Sequence, residues 1–260
     1  MSTDRSQADE GLREPQSLSR QISALLAADI VSGRIGLGEP FASSEEIVNR
    51  FSVSRTVARE TVQALAILGM VNVRHGKRTE VCPPEEWDIL SSVVQEAMRR
   101  EGKAEPLLRD LYEFRLLIEP QAAAWMAKYA GAEEVAELSA LADRMERLAH
   151  DDAAALIDLM GADRTFHDLI SRASDNQVVA AVSRDIREVI GTLWGFSALD
   201  AAAAVRVVEQ HQLIAGAVAR RDASAAAGAM REHLLWAAQA DLHGVGEPSG
   251  LRLFSGTTTD

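Results

Sequence analysis

The sequence predicts a mainly α protein in two parts, a small N-terminal unit of three helices and a β-hairpin followed by an all-helical bundle. Apolar residues recur at helical spacing, and after the consecutive prolines Pro83 and Pro84 alanine is abundant and β-branched alternation is absent. These prolines make the clearest break, because neither a helix nor a central strand continues through them. A length of 260 residues allows two domains of ordinary size. The predicted segments are a flexible arm over 1–14, a first domain over 15–82, a second domain over 83–243 and a flexible tail over 244–260.

The first domain is predicted to begin with two helices. Ile22 and Leu26 belong to an apolar repeat at helical spacing, and Gly33 closes that helix. Either Ser43 or Ser44 can cap a short second helix, since a serine hydroxyl accepts a hydrogen bond from a free amide of the first turn.

A third helix and a hairpin complete the first domain. Ser54 caps the helix, Gly69 ends it, and two short strands at 71–73 and 79–81 flank a turn at 75–78. This is the order of a winged helix-turn-helix, in which the third helix can enter the DNA major groove and its first residues meet base edges and phosphates. The residues at that position are Ser54, Arg55, Thr56 and Arg59.

Charge is distributed unevenly along the chain. Lys and Arg total 27 against 39 Asp and Glu, so the formal net charge is -12. This charge excludes a protein whose whole surface binds nucleic acid or anionic membrane. Residues 15–85 nevertheless carry eight basic and seven acidic side chains, so this segment is near neutral. Arg55 and Arg59 lie one helical turn apart, and Lys77 and Arg78 share the turn. This clustering favours a small DNA-facing patch, and ordinary solvated surface charge is the alternative.

Several classes of protein are excluded. No run approaches the roughly 18 apolar residues that span a bilayer, so no membrane partner is expected. The polar N-terminus does not have the pattern of a signal peptide. Cys82 is the one cysteine, so an internal disulfide framework is impossible. The sequence predicts a cytoplasmic protein.

The second domain is predicted to be a helical bundle. No period of 20–50 residues recurs, which argues against a solenoid. The predicted helices are 86–101, 105–130, 132–149, 151–174, 176–197, 200–220 and 222–243.

Three histidines and an aspartate in this bundle form a candidate metal site. Asp163 and His167 lie four residues apart, on one face of a helix, while His211 and His233 lie on two later apolar helices. Imidazole and carboxylate groups converging in a bundle core would suit Zn²⁺ or another imidazole-binding divalent ion. The alternative is that these histidines are hydrogen-bonded core residues.

The segment FSVSRTVARETVQAL at 51–65, followed by LGMV at 68–71, closely resembles the DNA-binding domain of GntR-family bacterial transcription regulators, in particular the FadR subfamily. The resemblance implies that Arg55 and Arg59 contact DNA with help from Ser54 and Thr56. It also implies that a wing reaches the minor groove. The wing residues implied to contact DNA are His75, Gly76 and Lys77.

Two positions depart from the family pattern. Glu45 stands where a related regulator carries a DNA-contacting arginine, so this contact is lost or Glu45 points elsewhere. Arg78 replaces the common second glycine of the wing.

The second half resembles the FCD type of ligand-binding domain. In its metal-binding members an Asp-x-x-x-His pair, a later histidine and a final Met-x-x-His-Leu supply the ligands, and Asp163, His167, His211 and His233 match them. The resemblance therefore implies a divalent metal, with zinc or nickel favoured. The segment 87–90, Trp-Asp-Ile-Leu, is similar to that of sugar-acid-responsive members, which favours a small carboxylate or sugar-acid effector.

Two further residues are candidate effector contacts. Arg115 can hold a carboxylate in bidentate fashion, and the alternative is an i,i+4 ion pair with Glu119. Asn176 can reach the pocket, and the alternative is a helix-capping role.

The function expected from these features is that of a ligand-responsive transcription regulator, in this subgroup usually a repressor, acting as a homodimer on double-stranded operator DNA. A metal-dependent hydrolase or lyase is an alternative, but no Gly-x-Ser-x-Gly motif, P-loop or dinucleotide fingerprint occurs, so no enzyme is expected. An effector-independent DNA-binding protein is the other alternative, and it leaves the histidine cluster unused.

Overall fold

The computed structural model describes residues 17–74, 76, 78–149, 155–194 and 201–243. The chain divides into two compact units, Met1–Lys103 and Ala104–Asp260. The predicted arm at 1–14 and tail at 244–260 lie outside the described residues.

The first unit is a winged helix-turn-helix with one additional helix. Strands β1 and β2 pair antiparallel, with Val71 opposite Val81, and form the wing hairpin. The elements are α1 (Leu18–Val31), α2 (Ser44–Phe51), α3 (Arg55–Ile67), β1 (Val71–Asn72), β2 (Glu80–Val81), a 3-10 turn (Pro84–Glu86) and α4 (Ser92–Arg100).

Serine caps set the start of α2 and α3. Ser43, and not Ser44, caps α2: its Oγ accepts from the Glu46 amide at 3.2 Å, and its own amide donates to Glu46 Oε2 at 2.7 Å. This reciprocal pair is a capping box. Ser54 Oγ accepts from the Val57 amide at 3.2 Å and fixes the first turn of α3.

The third helix ends where the chain passes very close to the 3-10 turn. Gly69 has φ of 68°, a conformation that costs little only for glycine. A Cβ at this position would lie 2.0 Å from the backbone oxygen of Glu86. Gly69 therefore both stops α3 and permits the close approach of two backbones.

The first compact unit extends beyond the boundary predicted at residue 82. The predicted helix over 86–101 is shorter, because Trp87 is extended and Ser91 caps α4. Val94 and Ala97 of α4 belong to the first core, so the compact unit runs to Lys103 and not to Cys82. The two prolines interrupt the helical structure, as expected, and the chain continues within the first compact unit as far as Lys103.

The second unit is all helical. The core lies where α5 packs against α10 and α6 packs against α7 and α9. No described helix has both the length and the apolar character that crossing a membrane requires. The helices are α5 (Glu105–Tyr129), α6 (Ala132–Ala149), α7 (Ala155–Arg172), α8 (Gln177–Trp194), α9 (Ala201–Ala219) and α10 (Ala223–His243).

Candidate functional site

The start of α3 presents an exposed basic surface. Ser54, Arg55, Thr56 and Arg59 are all exposed, and Ser54 also caps the helix. Within the described part of the chain, neither arginine forms an ion pair or a hydrogen bond with another residue. Both guanidinium groups are therefore available to phosphate or base edges, beside the free amides of a helix N-terminus.

The wing is described only in part. Gly76 is exposed with φ of 73°, whereas His75 and Lys77 lie outside the described residues. Glu45 is exposed on α2.

Four candidate metal ligands converge in the second unit. Helix α7 supplies Asp163 and His167, α9 supplies His211 and α10 supplies His233, and one ligand atom from each lies within 4.8 Å of all the others. The three imidazoles are buried, whereas the Asp163 side chain is 36% exposed. The sequence prediction thus names the four residues that the helices bring together.

The hydrogen bonds of the imidazole rings fix which nitrogen faces the cluster. Nδ1 of His167 donates to Glu119 Oε2 at 2.7 Å, and Nδ1 of His211 donates to the backbone oxygen of Val207 at 2.8 Å. Nδ1 of His233 lies 3.1 Å from the side-chain oxygen of Gln210. A neutral imidazole that donates through Nδ1 keeps its lone pair on Nε2, as metal-binding histidines do.

Two of the histidines have a buried Nε2 atom without a hydrogen-bond partner among the described residues. In His167 and His211 this atom is fully buried and has no hydrogen-bond partner in the described structure. It lies 3.8 Å from Asp163 Oδ1 in His167 and 3.1 Å in His211. Lone pairs facing a carboxylate repel one another unless a cation lies between them, so the donor set fits a divalent ion.

The surroundings of the cluster shift the pKa values of three of its groups toward the states that bind metal. Burial lowers the pKa of His167, against the opposing charge of Glu119, and lowers the pKa of His233 further, with help from the neighbouring imidazoles. Burial by itself would raise the pKa of Asp163, but the close imidazole groups of His211, His167 and His233 hold it below its usual range. Neutral imidazole and ionised carboxylate are the forms that ligate a metal.

A buried ion-pair network supports His167. Glu119 is 1% exposed and accepts from Arg115 Nε at 2.7 Å as well as from His167. Arg187 Nη1 lies 3.5 Å from the same carboxylate, and Arg187 Nη2 donates to Asp168. Burial would raise the pKa of Glu119, but Arg115 and His167 hold it well below its ordinary value.

A cavity of about 380 Å³ opens beside the cluster, a size at the lower end of the range of small-molecule sites. It has an apolar wall and several polar groups. Its lining includes Tyr112, Arg115, Asp163, Arg164, Arg187, Ile190, His233, Trp236 and Asp241.

The two predicted effector contacts differ in position. Arg115 is buried and forms the i,i+4 pair with Glu119, which is the alternative interpretation of this residue. It also lines the cavity, and its contact with an effector stays a prediction. Asn176 is exposed and does not belong to the cavity lining of the described structure. Its Oδ1 accepts from the amides of Val178 and Val179 at 3.0 and 3.2 Å, so it caps α8. The expectation that Asn176 reaches the effector is corrected on this point.

Four functional side chains were not identified from the sequence as parts of the site. Glu119 was seen only as the partner of Arg115, and its contact with His167 comes from the packing of α5 on α7. Arg187, Tyr112 and Asp241 occur in helical segments without a distinguishing motif. A charged residue on the buried face of a helix is the one signal that could have indicated Arg187 and Asp241.

Comparison with known proteins agrees with this architecture. Residues 18–81 match the family model of the bacterial regulatory proteins of the gntR family, and residues 110–235 match that of the FCD domain. The Escherichia coli galactonate operon transcriptional repressor is 24% identical over 210 residues, covering 79% of this chain and 89% of the relative. The Haemophilus influenzae Uxu operon regulator is 26% identical over 227 residues, which cover 82% of this chain and 78% of the relative.

A solved structure shows the same fold. It is that of Lar, which controls expression of the Listeria monocytogenes agr system. The TM-score is 0.57 at 16% sequence identity, and the alignment covers 89% of this chain and 99% of that chain. The relatives are transcription regulators, so the hydrolase or lyase alternative is set aside. With a GntR DNA-binding domain followed by an FCD domain, the chain belongs to the GntR family of bacterial transcription regulators and is not an enzyme.

Proposed function

We propose that this regulator is a repressor whose second unit binds one divalent metal ion, zinc or nickel, and a small carboxylate or sugar-acid effector that alters operator binding. The observation that carries the proposal is the convergence of Asp163 with three buried imidazoles whose Nδ1 atoms are already hydrogen-bonded. Three nitrogen donors and one oxygen donor suit these ions.

The cavity supplies the place for the effector. Asp163, His233 and Arg115 all line it, so a ligand in the cavity contacts the cluster and a guanidinium together. A bound metal would supply a positive charge that attracts a carboxylate. Arg115 would orient that carboxylate while it stays paired with Glu119, because a guanidinium has a second bidentate edge besides the one that Glu119 accepts from.

In the first unit, the proposed DNA contacts are those of α3 and the wing. The residues are Ser54, Arg55, Thr56, Arg59, His75, Gly76 and Lys77. We propose that a homodimer presents two copies of this surface to an inverted-repeat operator, since two-fold symmetric proteins read symmetric half-sites. Effector binding changes DNA affinity only insofar as the effector binds one conformation of the dimer more tightly than another.

Metal content tests the proposed centre. The purified chain is loaded with Zn²⁺ or Ni²⁺, dialysed, and measured by elemental analysis. We expect about one ion per chain, and loss of the ion in the double variant His167→Ala with His233→Ala, because two of the nitrogen donors are gone. Asp158→Asn, an exposed change on the same helix as His167, is the matched control and keeps the metal. Full metal content in the double variant would refute the site.

Thermal unfolding tests the effector. A ligand at 100 times its dissociation constant stabilises the protein by about 2.7 kcal/mol, which corresponds to a rise of several degrees. We expect this rise for a sugar acid with metal-loaded protein only. Equal stabilisation of metal-stripped protein would show that the acid binds without the centre.

A further inference from the structure

A second polar group lies in the same cavity, away from the histidine cluster. Tyr112 of α5 and Asp241 of α10 both line the cavity, and they are 2% and 8% exposed. The Tyr112 hydroxyl donates a hydrogen bond to Asp241 Oδ2. Tyr112 lies within residues 110–235, which match the FCD family model, but Asp241 lies beyond them, so the family match says nothing about Asp241.

The Asp241 carboxyl is poorly satisfied for a buried group. Among the described residues, Tyr112 is the one side chain that hydrogen-bonds to it, although two carboxylate oxygens can accept about four hydrogen bonds. The nearby Arg115 is engaged with Glu119 through two nitrogens. A buried carboxyl with unused acceptor sites is costly unless a ligand supplies donors.

The ionisation of the Asp241 carboxyl is affected by its burial. Burial raises the pKa of Asp241 to about 6, despite the opposing effects of the Tyr112 hydrogen bond and the Arg115 charge. The group is mainly ionised at neutral pH and acts there as an acceptor. A hydroxyl donor from a ligand would therefore find two acceptors together, the carboxylate and the phenol oxygen.

The pair and the histidine cluster mark two ends of one cavity. His233, Ala237 and Asp241 follow one another at intervals of four residues on α10, and all three line the cavity. Eight residues of helix separate His233 from Asp241 by about 12 Å along the axis. The lining of the same cavity also includes the apolar side chains of Ile190 and Trp236.

We propose that the Tyr112–Asp241 pair recognises hydroxyl groups at the end of the effector remote from its carboxylate, so that the regulator selects hydroxylated acids over alkyl acids of equal length. The inference rests on the proposed function, because it takes the carboxylate of the effector to lie at the histidine cluster. An alkyl chain at the pair would leave the buried carboxylate unpaired, and such a mismatch is how polar sites reject apolar analogues.

The test compares gluconate with hexanoate, which has the same number of carbon atoms, on zinc-loaded full-length protein by titration calorimetry. We expect gluconate to bind more tightly by about 5- to 150-fold for each buried hydrogen bond that hexanoate leaves unmade. Asp241→Leu is expected to bring the ratio of the two dissociation constants close to one. Glu232→Leu, an exposed change on the same helix, is the matched control and leaves the ratio unchanged.

A purely structural role, in which the pair only joins α5 to α10, predicts a different result. Asp241→Leu would then lower the unfolding temperature and leave the ratio unchanged, and this result overturns the inference. If Asp241→Leu does not fold, Tyr112→Phe and Asp241→Asn make the smaller changes, and both are expected to reduce the ratio. Hexanoate binding as tightly as gluconate to the unmodified protein overturns the inference but leaves metal-dependent carboxylate binding in place. Failure of both acids to bind in a metal-dependent way refutes the proposed function as well.

Discussion

Replacing Glu119 by glutamine separates the roles that its carboxylate has in folding and in metal binding. The carboxylate is fully buried and accepts from Arg115 Nε and His167 Nδ1, each at 2.7 Å, with Arg187 Nη1 at 3.5 Å. Glu119→Gln keeps the volume and removes the charge, so both guanidinium groups stay buried without their shared counter-ion. Breaking a buried pair in this way costs about 3–5 kcal/mol.

The same change acts on the metal centre through His167. A carboxylate that holds Nδ1 orients the ring and makes Nε2 a better donor, and removing such a partner weakens metal binding by about 10- to 100-fold. Urea unfolding of metal-free protein measures the first effect, and competition with a chromophoric chelator measures the second.

Glu105→Gln is the matched control. Glu105 pairs with Arg109 at the same i,i+4 spacing on the same helix, but its side chain is 33% exposed. This change is expected to cost only about 0–1 kcal/mol and to leave metal affinity unchanged. The reasoning is refuted if Glu119→Gln costs no more than Glu105→Gln and retains the full metal affinity.

Three further results are expected. Because burial holds the pKa of His233 well below its ordinary value of about 6.5, the unfolded chain takes up a proton that the folded chain resists, and stability falls as pH drops below that value. The raised pKa of Asp241, about 6, acts in the opposite direction, so the measurement uses the metal-free Asp241→Asn variant. A flat urea-unfolding profile of that variant between about pH 7 and pH 5 would contradict the prediction. Arg55→Ala should weaken binding to operator DNA by about 1–3 kcal/mol, if the lost contact is a bidentate one to a base, and undiminished binding in fluorescence anisotropy would argue against α3 as the reading helix. Gly69→Ala should destabilise the first unit, since its Cβ would lie 2.0 Å from the backbone oxygen of Glu86. Gly228→Ala in α10, where a Cβ would meet nothing within 4 Å, should stabilise the protein by about 0.5–1 kcal/mol. Similar unfolding midpoints for the two variants would count against the close approach at Gly69.

Local signals predicted most of the fold. Serine caps, the glycine at the end of α3 and the 3.6-residue apolar repeat placed the helices to within a few residues, because each depends on neighbours in the chain. The first compact unit extends past Cys82 for a non-local reason. Whether the segment after the prolines belongs to the first or second unit depends on Val94 and Ala97 packing in the first core, and a helix with that pattern fits either core.

Only part of the candidate site could be predicted from the sequence. Spacing and family resemblance identified the four residues that the structure brings together, since histidines on apolar helix faces are uncommon. Glu119 and Arg187 meet only when their two helices, α5 and α8, pack together, so no sequence interval marks their contact. Asn176 was a candidate effector contact with helix capping as the alternative, and the structure shows the cap: it lies at the N-terminus of α8, where its side chain accepts from two amides of the first turn.

The central claim is that a small acid at the metal centre controls DNA binding. It is tested most directly by anisotropy of a DNA duplex that the metal-loaded protein has selected from a random pool, titrated with sugar acids. We predict that the effective acid shifts the DNA affinity of metal-loaded protein and leaves that of the His167→Ala with His233→Ala variant unchanged. An equal shift in that double variant, or DNA affinity that no acid changes in metal-loaded protein, would contradict the account.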